Sequence, residues 1–177
     1  MIFEIPFNED ITRKQTNLKF ELLWKNALKK RKTNLLISIC FFLFGCLVIY
    51  GNGNVGYVFV VVVIFGIYMF YSLTLAYHRS KKKYIAVVES EIEKYKLSRE
   101  NSIWEFDNEY FCYKDYKYNT KIKWDGFVSF KIIDDNLFLD LADNSPLSYI
   151  LAKEEVGDES FQNVIDFLES KLKRTSH

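Results

Sequence analysis

"KKRKTNLLISICFFLFGCLVIYGNGNVGYVFVVVVIFGIYMFYSLTLAYHRSKKK", residues 29–83, holds two apolar runs, a polar turn between them and a basic cluster on each outer side. From Leu35 to Tyr77 there is no Lys, Arg, Asp or Glu, although charged residues make up 27% of the chain. A helix pairs its own backbone groups, so about 20 apolar helical residues cover a hydrocarbon core roughly 30 Å thick. Residues 33–50 and 55–77 fit that requirement, the first with Thr33 and Asn34 at head-group level. They read as a two-helix transmembrane hairpin. A soluble-core reading would need both helices to be hydrophobic on every face and covered all round by protein. A signal peptide fits no better, because the first run begins after residue 32 and no small-residue cleavage site follows it.

The flanks set the orientation. Lys29, Lys30, Arg31 and Lys32 precede the pair, Arg79, Lys81, Lys82 and Lys83 follow it, and the turn at 51–56 is uncharged. Basic residues collect on the cytoplasmic side, so both termini are expected there. Tyr50, Tyr57 and Tyr77 stand where amphipathic rings favour the interface. Within the spans only Cys and Tyr can ionise, which suits an anchor better than an ion path. Gly45, Gly56 and Gly66 allow close helix contact, but no two of them are spaced as GxxxG.

Outside the hairpin the chain reads as folded protein, with 18% aromatic residues, 2 Pro and 7 Gly. "MIFEIPF" alternates like a short strand ended by Pro6. A basic amphipathic helix follows, with Phe20, Leu23, Trp24, Ala27 and Leu28 on one stripe; residues 1–32 thus form an N-terminal segment of strand and helix. Residues 79–99 continue the second span as a helical stalk, with Tyr84, Ile85, Val88, Ile92 and Tyr95 on its apolar stripe.

From residue 100 the period switches to two. "SIWEF", "EYFCY", "TKIKW", "FVSFKIID", "LFLDLAD" and "LSYILAK" are strand-like, with turns at Asp107-Asn108, Asp125-Gly126, Asp135-Asn136 and Asn144-Ser145-Pro146. Asp158 reads as the N-cap of a closing helix with Phe161, Val164, Ile165, Leu168 and Leu172 on one face. The fold class expected is therefore an α+β membrane protein: a transmembrane hairpin plus a small antiparallel sheet or partial barrel at 100–177, closed by a C-terminal helix. Trp124, ending an inward-facing strand with Thr120 and Ile122, is its expected structural anchor.

The order of these segments, with the phrases "KIKWDGFVSFKIIDDNLFLDL" and "YILAKEEV", resembles the YcxB-like family of small bacterial membrane proteins over nearly the whole chain. Trp124 and Ile150 to Lys153 occupy family positions. Lys131 stands near where the family often has glutamate, and Leu151 or Ala152 replaces a proline. The resemblance implies a bacterial inner-membrane protein whose cytoplasmic part is similar to pleckstrin-homology-like domains, and implies no particular activity.

The chain offers little material for catalysis. His78 and His177 are its only histidines, and Cys40, Cys46 and Cys112 have no disulfide or zinc spacing. Asp134, Asp135, Asp140 and Asp143 read as turn and surface carboxylates rather than an acid–base pair. No cofactor or metal site is expected. "YKDYKYNTKIKW" interleaves Lys114, Lys117, Lys121 and Lys123 with aromatic rings, a composition suited to phosphates or bases. Residues 99–177, however, hold 10 basic and 16 acidic side chains, a net charge of −6 that disfavours nucleic acid. The four lysines are expected either to face an anionic leaflet or to form the solvated side of two strands. The function expected is a membrane-anchored, non-catalytic interaction module for lipid or a protein partner, with self-association open. The alternative is an immunity-type protein that neutralises a toxin at the membrane.

Overall fold

The computed structural model describes residues 1–51, 55–142 and 148–175. The chain runs β1 (Ile2–Ile5), α1 (Glu9–Tyr50), α2 (Gly56–Ser98), β2 (Ser102–Phe106), β3 (Tyr110–Lys114), β4 (Asn119–Lys123), a single 3-10 turn (Trp124–Gly126), β5 (Phe127–Ile133), β6 (Asn136–Leu141), β7 (Ser148–Ala152), α3 (Lys153–Val156), α4 (Asp158–Glu169) and β8 (Lys173–Arg174). The basic N-terminal helix and the first apolar run form one helix of 42 residues, and the second run and the stalk form another of 43. No proline interrupts either, so nothing breaks their hydrogen-bond ladders. Asn8 caps α1, its Oδ1 accepting from the N–H groups of Asp10 (3.0 Å) and Ile11 (3.2 Å).

The chain folds as two compact units, Met1–Leu18 with Val88–His177, and Lys19–Val87. The first contains two four-stranded sheets, ordered β1-β2-β3-β4 and β7-β6-β5-β8. The β1 strand pairs antiparallel with β2, Ile2 opposite Glu105 and Ile5 opposite Ser102. The sheet domain therefore does not begin at residue 100. Its edge strand comes from the start of the chain, separated from its partner by both long helices. The sheets remain separate and do not close into a barrel, and the short β8 adds a parallel pair to β5.

One core joins these elements: Ile5, Trp104, Phe106, Phe111, Phe127, Phe130, Leu137, Leu139 and Leu151 from the strands, Trp124 from the 3-10 turn, and Phe161, Val164, Ile165 and Leu168 from α4. The expected face of α4 is thus the buried one, and Leu172 packs on the core just beyond the helix. Asp158 is not its cap. Gly157 occupies that position at φ +82°, a left-handed conformation that a β-carbon disfavours, and Asp158 pairs with Lys153 at 3.0 Å. The hairpin between β5 and β6 turns on Asp134 (φ 48°) and Asp135 (φ 58°), one residue earlier than expected. Two consecutive left-handed residues give the twist that a two-residue hairpin needs. The expected turn at Asn144-Ser145-Pro146 lies outside the described residues, as do Asp143 and His177.

In the second unit α1 and α2 lie antiparallel and close. A β-carbon on Gly66 would collide with Ser38, one on Gly45 would lie 2.9 Å from Phe59, and one on Gly56 would meet Ile49. The three glycines act across the helix pair, which a search for GxxxG within one helix misses. Phe20, Trp24 and Tyr77 pack together at the charged end, with Tyr84 against Phe20 at 5.1 Å. Both helices are long and apolar enough to cross a membrane, and large apolar side chains such as Leu47 and Phe65 are exposed along them. Gly66→Leu is expected to force the helices apart and cost about 1–3 kcal/mol. Thermal unfolding of the full chain in mild detergent checks this, and an unchanged midpoint would show that the helices do not approach at Gly66.

Candidate functional site

In β3 and β4 the alternation sorts the side chains into two layers. Phe111 and Tyr113 on β3, with Thr120 and Ile122 on β4, face the core, where the Thr120 and Tyr149 hydroxyls meet at 2.9 Å. The opposite layer carries Tyr110, Cys112 and Lys114 on β3, and Asn119, Lys121 and Lys123 on β4. Lys121 lies opposite Cys112, and Lys123 opposite Tyr110. The Lys121 ammonium rests 3.3 Å from the centroid of the Tyr110 ring, a cation–π contact. Lys114, Lys121 and Lys123 are exposed and form no ion pair among the described residues. The neighbouring strands give the same layer an acidic half, with Glu4 on β1 and Glu105 on β2.

Lys117 is not part of that group. It occupies the turn between β3 and β4, where Asp115 Oδ1 accepts from the backbone N–H of Lys117 (2.7 Å) and Tyr118 (2.6 Å). Its ammonium goes to Glu91 on α2 at 3.0 Å, beside the Tyr116 hydroxyl, which donates to the same carboxylate at 2.8 Å. With Lys94 also bound, Glu91 is held down to about pH 2, first by Lys94 and then by Tyr116 and Lys117. Tyr116 is pushed up to about 12, first by burial and then by Glu91. Its ring continues a stack through Tyr95 (4.9 Å) to Phe7 (4.5 Å), fixing the turn to the end of α2 and the segment after β1.

Trp124 begins the 3-10 turn just after β4 and is buried, its indole N–H donating to the Asp107 carbonyl at 2.9 Å. Two other shifted carboxylates are also held in structural contacts. Glu9 is lowered chiefly by its hydrogen bond to Lys96, and its other neighbour Arg13 reaches on to Glu89. Glu155 is raised by burial while accepting from the Ala152 N–H (2.7 Å) and the Gln15 amide (2.8 Å). The Cys112 thiol is pushed up, by burial first and then by Glu105. Of the aspartates considered for acid–base work, Asp140 is paired with Lys131 at 2.8 Å, while Asp134 and Asp135 form the hairpin turn. Among the described residues no cluster of His, Cys, Asp and Glu is placed to hold a metal ion.

No family model, curated protein or solved structure matches this chain.

Proposed function

We propose that the protein is a membrane-anchored, non-catalytic interaction module, in which the apolar helix pair spans the bacterial inner membrane and the two-sheet unit works at its cytoplasmic face. The pairing of β1 with β2 is the observation that carries this reading. The two apolar helices are inserted between these strands, so if they cross a bilayer, both chain ends must lie on one side of it. The basic flanks select the cytoplasmic side. The YcxB-like resemblance and the two sheets covered by a terminal helix, a pleckstrin-homology-like arrangement, support the same role. So does the engagement of the strongly shifted groups in structural pairs, which leaves them poorly placed for turnover. In this reading Lys114, Lys121 and Lys123 are the domain's contact with anionic lipid, and Lys117 holds the domain together through Glu91.

A reporter at each end of the full chain tests the arrangement. Both should read cytoplasmic. Ends on opposite sides would contradict the strand pairing, and two periplasmic ends would refute the orientation alone.

A further inference from the structure

The Lys19–Val87 unit has an extreme charge balance. It contains 10 Lys and Arg and a single acid, Glu21, a net charge of +9, while the rest of the chain has 14 basic and 22 acidic residues, a net charge of −8. Glu21 is engaged by Lys81 at 3.9 Å. The cations fall in two short segments, 19–32 and 79–83, on either side of the apolar runs. Arg31 is turned toward α2, its guanidinium donating to Thr74 Oγ1 (3.1 Å) and lying 5.1 Å from the Phe70 centroid.

On α1 an open notch of about 370 Å³ is lined by Asn26, Lys29, Lys30, Thr33 and Asn34. All five residues are exposed, and Thr33 bonds its own helix at Lys29 O (3.2 Å). Among the described residues the side chains of Asn26, Lys29, Lys30 and Asn34 meet no hydrogen-bond or ion-pair partner. The apolar run starts at Leu35, directly after the notch. Two ammonium groups, two amides and a hydroxyl therefore cluster at the level where a spanning helix meets phosphates.

We infer that this notch binds the headgroup of an anionic phospholipid, Lys29 and Lys30 taking the phosphate and Asn26, Thr33 and Asn34 offering hydrogen bonds to its polar substituent. The inference rests on the spanning arrangement proposed above and goes beyond it. Basic flanks that only orient a hairpin need excess charge, whereas a headgroup site needs these particular side chains. A lysine near an anionic surface is worth about a five-fold preference, so loss of both should lower selectivity by roughly 25-fold.

The test uses the full chain in nonionic detergent micelles doped with equal phosphatidylglycerol and phosphatidylcholine, with bound lipid counted by native mass spectrometry. The wild type should retain phosphatidylglycerol in preference, less so as salt rises. Lys29→Gln with Lys30→Gln should lose most of that preference, and Lys171→Gln with Lys173→Gln, far along the chain, should keep it. Equal retention of the two lipids by the wild type, or undiminished preference in the Lys29 and Lys30 variant, overturns the site. The end reporters are read on the same variant, in which eight cations of the unit remain. Normal topology without lipid preference refutes the notch alone, whereas failure of the wild type to span removes the premise and the notch with it.

Discussion

Trp124→Ala should destabilise the two-sheet unit by about 3–5 kcal/mol, the usual cost of deleting a buried large aromatic. The indole is 8% exposed, and its ring centroid lies 5.7 Å from that of Phe127, 5.6 Å from Phe167, 6.3 Å from Phe111 and 6.5 Å from Phe106. Those partners come from both sheets and from α4, so the cavity would open where the three meet. The Asp107 carbonyl would also lose its indole donor, worth about 1 kcal/mol. Small domains have only about 5–15 kcal/mol of stability in total. Hydrogen exchange of the full chain in detergent should show a matching loss of protection in β2, β3 and β5, with the apolar helices unaffected. Trp124→Phe should cost less than the alanine change, since it removes the indole donor but only part of the buried ring. Unchanged protection in the alanine variant would mean that the indole does not bridge the sheets.

The local parts of this fold were legible because they follow short-range rules. Phe161, Val164, Ile165 and Leu168 are apolar at helical spacing and all are buried. Likewise Ser102, Trp104 and Phe106 alternate and all face inward. A missed cap is also local: Asp158 has the right chemistry, but Gly157 takes the position because the chain must turn there through positive φ. Pairings across long separations were not legible. "MIFEIPF" reads as a strand from its alternation, yet nothing in its residues names Ser102–Phe106 as its partner.

The candidate surface divides in the same way. Period-two alternation places Lys121 and Lys123 on one layer of β4 and Lys114 on the same layer of β3, so three of the four expected lysines come together. Lys117 breaks the grouping because Asp115 folds the chain into a turn, where alternation no longer applies. Its partner Glu91 belongs to α2, and composition gives no sign that a stalk carboxylate would collect Lys94, Tyr116 and Lys117. The sign of the Glu91 shift fixes when this tie operates. A carboxylate held to about 2 contributes above the ordinary range near 4 and loses its contribution as pH falls through 2. At neutral pH Lys117 is therefore engaged by the stalk.

Ile5→Asp in the full chain is expected to remove β1 from its sheet and cost at least about 4 kcal/mol, combining lost burial of an isoleucine with a charge placed in the core. Ile5 is 3% exposed within the core cluster, whereas Ile2, three residues earlier in the same strand, is 69% exposed. Ile2→Asp should therefore change stability by under about 0.5 kcal/mol, as exposed substitutions do. The comparison keeps the chemistry constant and changes only the face of the strand. Losing β1 also opens the edge of β2, which is bonded to β1 on one side and to β3 on the other, and an unpaired edge invites association. Ile2 pairs with Glu105 across two helices of 42 and 43 residues, so this pairing closes a long loop whose entropic cost the contacts of β1 must offset. The Ile5 variant should accordingly show proteolytic cleavage in β1 and β2 and concentration-dependent aggregation, with its apolar helices still protected. Ile2→Asp and the wild type should show neither, and equal behaviour of the two variants would place β1 outside the sheet.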